Sequence, residues 1–498
     1  VASPFVRKFR SQSGRPYCYD VNTNSFLLLD NVVYDVIDDF GLIHTADIVS
    51  RWAPTYGADN VALAIGSIEQ QQKAGLLLDS RPSRMIGYED AEALRAVYDM
   101  GPKKVVFEVT AQCNLRCTYC VYSGTYPYER THASLALSET AMKKTLQHIR
   151  TRALATEDDP ERFVSFYGGE PLLHAGAIKR IVDEIRRDKE VRWYVKVVTN
   201  GTLLRKDVAA HMAEKNVALQ VSLDGPRHIH DRFRTFEDGS PTFDVVLANL
   251  TTLRDLAPDY YTSQVSFAAT VGPGSDLAEI NDFFESEALV QGHRTIATYV
   301  APFDTNLFRV SGVYTEQQTK QREDLKLDYV SRVASGTSPT QLEASFFDKM
   351  IMRIDSRLNC RLGDYAPPNG TCYPGASRLF VHVDGRYSPC ERVGDVFRLG
   401  DVDTGFDLQA ARDLIDRYVT ESRPYCVGCW AQRLCDLCYG SCRKGRSFDM
   451  ERKNEMCVLA LWKFHEGLEM YASIMERNHQ ALQTKSVGRF RPGPPRRG

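Results

Sequence analysis

From residue 104 to about 301, short apolar runs alternate with stretches of helical spacing. The runs are KVVFEVT (104–110), RFVSFYG (162–168), WYVKVVTNG (193–201), VALQVSLDG (217–225), QVSFAAT (264–270) and RTIATYVAP (294–302). Helical spacing follows the second run near 175–188 and the third near 203–215. Strands alternating with helices build a parallel sheet. Six of them predict an α/β domain, a partial (β/α)6 barrel of the TIM type, over residues 96–304. Chemistry in such folds gathers at the carboxyl ends of the strands.

A different pattern fills residues 1–95. YCYDVNTNSFLLLD places two apolar-rich arms around Asn22-Thr23-Asn24, a hairpin signal. NVVYDVIDDFG has helical spacing and closes at Gly41. Helical stretches at about 44–53 and 59–74 then lead into GLLLD, which reads as a returning apolar strand. The whole predicts a winged-helix-like domain. Residues 305–358 read as a helical connector and 359–478 as a cysteine-rich domain. Residues 479–498 form a basic, Pro/Gly-rich tail expected to be disordered.

Composition narrows the function. The 498 residues are 43% hydrophobic and 25% charged, an ordinary globular balance. With 62 Lys+Arg against 64 Asp+Glu, the net charge of −2 argues against a nucleic-acid partner. No run approaches the 18 apolar residues of a membrane span, and VASPFVRKFR lacks a signal core. A cytoplasmic protein with no membrane partner is therefore expected. In a reducing compartment 13 cysteines point to metal or redox chemistry rather than disulfides. They are segregated: Cys18 stands alone, Cys113, Cys117 and Cys120 form one group, and nine lie between Cys360 and Cys457.

Cys113-x3-Cys117-x2-Cys120 follows the first barrel strand and offers three thiolates from one tight loop. Structural zinc takes four ligands. Three thiolates on a four-iron cluster would leave one iron open to a substrate or cofactor; zinc with a distant fourth ligand is the alternative. CxxxCxxC behind such a strand resembles the radical S-adenosylmethionine (SAM) superfamily. The resemblance implies that the open iron chelates the methionyl amine and carboxylate, with Tyr119 packing near the adenine. YGGEP (167–171) ends the second strand, and Gly168, Gly169 and Glu170 would hold the methionyl ammonium. The glycines are expected because backbone must approach the ligand. TNG, with Thr199 and Asn200, ends the third strand; SLDGP ends the fourth, placing Ser222 and Asp224 near the ribose. HDRFR offers Arg234 for the methionyl carboxylate.

The carboxyl-terminal cysteines resemble the SPASM domain, which binds two auxiliary four-iron clusters. Cys372 and Cys390 flank LFVHVDGRYSPC, a hairpin with an Asp384-Gly385 turn. The pattern expects a cysteine at 439, where Tyr439 stands; Cys438 is one residue early and Cys442 three late. By the family's interleaving, one auxiliary cluster would take Cys360, Cys372, Cys390 and Cys438, with Cys442 as the alternative to Cys438. The other would take Cys426, Cys429, Cys435 and Cys457. Paired zinc ribbons are the alternative here. Glu391 occupies the position of a proton acceptor in some relatives, and a plain surface carboxylate is the competing reading. Cys18 reads as a buried small apolar residue.

The amino-terminal pattern resembles the PqqD-like peptide-recognition element, which takes a leader peptide as an added strand. YDVNTNSFLLLD with VVYDVI is similar to thioether-forming maturases of the SCIFF and quinohemoprotein amine dehydrogenase type. The resemblance implies three [4Fe-4S] clusters, SAM, an electron donor such as flavodoxin or ferredoxin, and a precursor peptide or small protein subunit as substrate. The implied reaction bonds a substrate cysteine sulfur to an unactivated carbon. Carbon–carbon crosslinking and formylglycine formation are the competing products.

Overall fold

The computed structural model describes residues 2–87, 91–126, 129–155, 161–300, 305, 315–394 and 396–482. The expected tail beyond 482 lies outside them, as do 301–304 and 306–314. The chain opens with β1 (Val6–Arg10), β2 (Pro16–Asp20) and β3 (Ser25–Leu28), an antiparallel sheet in that order. The β2–β3 turn is held by Asp20, whose Oδ1 accepts from Asn22 N–H at 3.1 Å and whose Oδ2 accepts from the Thr23 hydroxyl at 2.7 Å. Asn24 takes the positive φ of 62° that asparagine tolerates. Helices α1 (Asn31–Val36), α2 (Thr45–Tyr56) and α3 (Ala58–Lys73) follow. Cys18 is wholly buried against Val33, Val36, Ile37 and Ile65.

Two details depart from the sequence reading. VRKFR, ahead of the expected hairpin, is the strand β1. GLLLD is not a strand: Gly75 and Leu77 both take positive φ, and Leu77 N–H turns inward to Asp20 Oδ2 at 3.2 Å. An apolar run does not distinguish a paired strand from a buried turn. A short β4 (Arg84–Met85) and α4 (Ala91–Asp99) lead to the barrel.

The barrel strands are β5 (Lys104–Thr110), β6 (Glu161–Gly168), β7 (Arg192–Thr199), β8 (Ala218–Ser222), β9 (Val265–Val271) and β10 (Thr295–Tyr299), each parallel to its neighbours. Their crossovers hold α5 (Glu139–Leu154), α6 (Ala175–Arg187), α7 (Lys206–Glu214), α8 (Arg227–Phe233), α9 (Phe243–Leu256), α10 (Pro258–Gln264) and α11 (Leu277–Ser286). In α6, Ile178, Ile181, Val182 and Ile185 are buried at the i, i+3, i+4, i+7 spacing of one helix face. Alternate strand residues (Val105, Phe107, Val109 on β5; Val195, Val197 on β7) bury almost completely in the apolar core.

Helices α12 (Glu316–Ala334) and α13 (Gln341–Asp355) each start with a capping box, from Thr315/Gln318 and Thr340/Glu343. Next come β11 (Tyr365–Ala366), which pairs with β4, and the hairpin β12 (Leu379–Val381) and β13 (Tyr387–Ser388), turning at Gly385. Strand β12 joins the barrel: Leu379, Phe380 and Val381 pair in parallel with Val105, Val106 and Phe107. The sheet therefore runs β10-β9-β8-β7-β6-β5-β12-β13. Helices α14 (Leu408–Cys426) and α15 (Met450–Arg477) complete the fold. Arg322 of α12 clamps Glu466 of α15 through two bonds, at 2.8 and 2.6 Å. Among the described residues no helix is long and apolar enough to cross a membrane.

Phe107 lies where β5 meets both β6 and β12, fully buried and stacked on Phe166 at 6.1 Å. Phe107→Ala is expected to cost about 3–5 kcal/mol of stability by chemical denaturation. A loss below about 1 kcal/mol would remove it from the core.

Candidate active site and cysteine centres

The three-cysteine loop leaves β5 under backbone control from β6. Gly169 N–H donates to Thr110 O and Glu170 N–H to Gln112 O, both at 2.8 Å. Gly168 has φ 135°, and a Cβ there would lie 2.4 Å from Thr110 O; at Gly169 it would lie 2.0 Å from Gln112 O. Glycine is required at both, but the close approach is to the strand bearing the cysteines. Leu115 N–H points to Cys113 Sγ at 3.4 Å and Tyr122 N–H to Cys120 Sγ at 3.5 Å. Burial pushes the Cys113 thiol up to about 11 and the Cys117 thiol to about 12; Cys120 adds to both, Glu170 to the first and Cys113 to the second, and Arg234 opposes both. The loop thus gathers three sulfurs in a dry setting, the donor chemistry of iron–sulfur or zinc ligation. Among the described residues no three His, Cys, Asp or Glu side chains converge closely enough to hold one metal ion.

Glu170 is fully buried and already engaged. Its Oε1 accepts from Leu172 N–H at 2.9 Å and the Thr199 hydroxyl at 2.8 Å, and its Oε2 accepts from Asn200 N–H at 2.7 Å. Burial lifts its carboxyl to about 7 against these donors. Asn200 in turn reaches Asn114 Oδ1 at 2.9 Å and Cys113 Sγ at 3.8 Å. The GGE and TNG turns therefore brace the first cysteine.

A second cluster joins Tyr119, Asp224 and Arg234. Tyr119 donates its hydroxyl proton to Asp224 and accepts from Arg234 Nη1 at 2.6 Å. Asp224 Oδ1 accepts from Thr270 N–H at 3.0 Å, while Arg234 Nε is buried without an acceptor. Ser222 is half-buried at the end of β8. Asp224 N–H donates to His230 Nδ1 at 3.3 Å, so Nε2 carries the proton toward Thr242 Oγ1, 3.0 Å away. Burial, and then Arg234, depress the His230 pKa to about 3.

The cysteine-rich region separates into groups. Cys372 Sγ lies 3.0 Å from the Tyr439 hydroxyl; after burial, nearby Cys372 raises the Cys438 thiol and nearby Cys438 raises the Cys390 thiol. Tyr439 is buried, so the residue standing in the expected cysteine position still touches the sulfur set. Cys442 is fully buried in apolar company between the two groups, with Cys438 and Cys457 as neighbours. Cys426, Cys429, Cys435 and Cys457 line a cavity of about 240 Å3 together with Lys453. Cys360 is exposed and takes a 2.9 Å contact from Arg433 Nη2.

Glu391, directly after Cys390, accepts from Arg378 Nη1 at 2.6 Å through Oε1; its Oε2 is buried without a partner. Burial raises its carboxyl, but Arg378 and Lys104 outweigh that and hold it ionised, below the usual range. Beside it, a cavity of about 140 Å3 is lined by Lys104, Lys196, Gln220 and Arg294. Burial and the surrounding cations lower the Lys196 ammonium to about 7. Arg130 Nη2 donates to Glu391 O at 2.9 Å, and its guanidinium stacks near Tyr122 and Phe380. The sequence reading missed Lys104, Arg130, Lys196 and Arg378. For two of them a signal was available: Lys104, with Glu108, in KVVFEVT and Lys196 in WYVKVVT are charges inside otherwise apolar strands.

Residues 107–286 match the family model of the Radical SAM superfamily. The barrel is a radical SAM fold. A cysteine-type anaerobic sulfatase-maturating enzyme of Clostridium novyi (strain NT) is 22% identical over 344 residues, 68% of this chain and 86% of its own length. The radical SAM cyclopropyl synthase TigE of Paramaledivibacter caminithermalis is 23% identical over 159 residues, 31% of this chain and 33% of its own. The solved structure of native anSMEcpe with bound AdoMet and Cp18Cys peptide superposes with a TM-score of 0.54 at 19% identity, covering 77% of this chain and 99% of that one. The chain is a radical SAM enzyme related in sequence to peptide- and protein-modifying maturases.

Two expectations follow from the geometry of this radical SAM site. Gly169→Ala forces Gln112 away and displaces Cys113, so the anaerobically reconstituted variant should hold less iron per chain than wild type. Full loading of a folded variant would contradict the contact. His230 contributes stability that is complete above its unfolded pKa, near 6.5, and lost as pH falls toward 3. The stability difference between wild type and His230→Gln should shrink by about 2 kcal/mol from pH 7.5 to pH 5. A constant difference would show that the ring is not held neutral.

Proposed function

We propose that this enzyme is a peptide maturase that joins a cysteine sulfur of a ribosomally made precursor, or of a small protein subunit, to an unactivated carbon of the same chain. The observation that carries the proposal is strand β5. Its carboxyl end bears Cys113, Cys117 and Cys120, and its free edge receives the hairpin that leads to Cys390 and Glu391. A substrate in the barrel then has one sulfur centre at the strand ends and another beside its edge.

The amino-terminal sheet supplies the peptide grip in this reading. Its edge strand β1 borders a groove of about 500 Å3 lined by Val6–Arg10, Tyr34, Asp38, His465 and Glu469. An extended leader can add to that edge through backbone hydrogen bonds. Cys113, Cys117 and Cys120 hold the catalytic four-iron cluster, and Gly168, Gly169, Glu170, Thr199, Asn200, Ser222, Asp224, Arg234 and Tyr119 enclose SAM. Cys372, Cys390 and Cys438, with Cys360 as the fourth ligand, hold one auxiliary cluster; Cys426, Cys429, Cys435 and Cys457 hold the other. With SAM held there and an electron from a flavodoxin or ferredoxin, the site would supply the radical chemistry that removes hydrogen from an unactivated carbon. Glu391, ionised and with Oε2 free, would accept the proton released by the substrate thiol, and an auxiliary cluster would take the one electron left over when the sulfur bonds the carbon radical. The buried walls keep water from the carbon radical.

Formylglycine formation is the second reading, favoured by the match along 86% of a sulfatase-maturating relative. Reconstituted protein should carry about twelve irons, three four-iron clusters, and form 5′-deoxyadenosine from SAM. Ala at Cys113, Cys117 and Cys120 should abolish that product. A precursor that loses two hydrogens and a reactive thiol supports the thioether. Loss of sulfur with a new aldehyde supports formylglycine, and loss of two hydrogens with the thiol still alkylatable supports carbon–carbon coupling.

A further inference from the structure

Lys453 has surroundings unlike those of the nearby lysines. The residue is 1% exposed, one turn before Cys457 on α15. Its Nζ lies 3.4 Å from Cys426 Sγ and 3.6 Å from Cys457 Sγ, with the Tyr418 ring 5.9 Å away. Among the described residues no carboxylate stands within ion-pair distance of it. Lys463 and Lys349, on the same side of the fold, are both paired with Asp436, at 2.7 and 3.8 Å. A lone buried ammonium is strongly unfavourable unless an opposite charge accompanies it. The groups that can supply that charge here are the thiolates of the cavity itself.

We infer that Lys453 is a built-in positive charge that raises the reduction potential of the centre held by Cys426, Cys429, Cys435 and Cys457, making it the electron-accepting end of the protein. The inference rests on reading those four cysteines as an auxiliary iron–sulfur site. Potentials of such centres follow net charge and hydrogen bonds to sulfur. Reduction adds one negative charge, and an ammonium against two of the ligands favours the reduced state. The cations at the catalytic loop are instead paired with carboxylates: Arg234 with Asp224 at 3.7 Å, Arg130 with Glu108 at 3.7 Å, and Arg116, which donates to Cys113 O at 2.8 Å, with Glu237 at 2.6 Å. The electron released when a substrate radical closes a new bond then has a favourable destination away from the catalytic cluster. Lys453 acts through the ligand sulfurs, so it is a tuning residue and not a catalytic one.

The test compares full-length Lys453→Met and Lys453→Arg proteins in a background carrying Ala at Cys113, Cys117 and Cys120, so that only auxiliary centres titrate. Iron per chain is measured first, then each midpoint by potentiometric titration followed by electron paramagnetic resonance. The expected result is a more negative midpoint for one centre in Lys453→Met, by a tenfold or greater change in its reduction equilibrium (about 59 mV for one electron), with Lys453→Arg close to wild type. An unchanged midpoint in Lys453→Met at undiminished iron overturns the inference. If Lys453→Met loses about four irons and Lys453→Arg keeps them, charge is again the requirement; loss in both overturns it. A Cys426→Ala/Cys429→Ala protein that loses no iron would instead overturn the underlying four-iron reading.

Discussion

Strand β5 makes hydrogen bonds along both edges, with β6 on one side and the late hairpin strand β12 on the other. Neither ladder can slip by one residue without turning Val105, Phe107 and Val109 out of the core. The loop that leaves its carboxyl end therefore starts from a fixed point. Gly168 and Gly169 then press backbone against Thr110 and Gln112, so the path to Cys113 is set before any side chain is considered. The cysteine loop, the GGE turn and the carboxyl-terminal hairpin share one anchor.

Electrostatics organises the rest of the site. Buried polar groups are satisfied in short closed chains: Glu170 by two N–H groups and a hydroxyl, and His230 between Asp224 N–H and Thr242. Buried atoms without a hydrogen-bond partner occur across the fold, and four of them lie near the cysteine loop and Cys390: Arg234 Nε, Glu391 Oε2, Arg130 Nε and Arg130 Nη1, the last 3.7 Å from Glu108. A folded protein retains such groups when something else satisfies them. The lumen beside Glu391 is strongly cationic, which holds that carboxylate ionised and leaves Lys196 easily deprotonated.

The two cysteine groups of the carboxyl-terminal region differ in setting. One is threaded through the hairpin that extends the barrel and touches Tyr439. The other sits at the junction of α14 and α15, one helix turn from a buried lysine. The amino-terminal hairpin also reaches this region, since Arg433 donates to Val21 O and Asn22 O as well as to Cys360. The amino-terminal hairpin and the carboxyl-terminal cysteine region are thus joined by direct polar contacts.

The sequence alone determined the strand–helix alternation and the placement of CxxxCxxC, GGEP, TNG and SLDGP at strand ends, because period and turn chemistry are local. It also marked Cys18 as a buried apolar residue, since a lone cysteine on a hairpin strand has no ligand partners nearby in the chain. Only the tertiary structure decided that LFVHVDGRYSPC would extend the barrel sheet, because edge pairing depends on which edge is left open. GLLLD failed as a strand for the same reason: its hydrogen-bond partner, Asp20, is more than fifty residues away. Local spacing likewise could not separate Cys438 from Cys442. In the fold Cys438 lies near Cys372 and Cys390, while Cys442 is fully buried with Cys438 and Cys457 as neighbours. The charges of Lys104, Lys196, Arg378 and Lys453 were visible as letters; that they face a shared interior or a sulfur-lined cavity follows only from strands and helices that are distant in sequence.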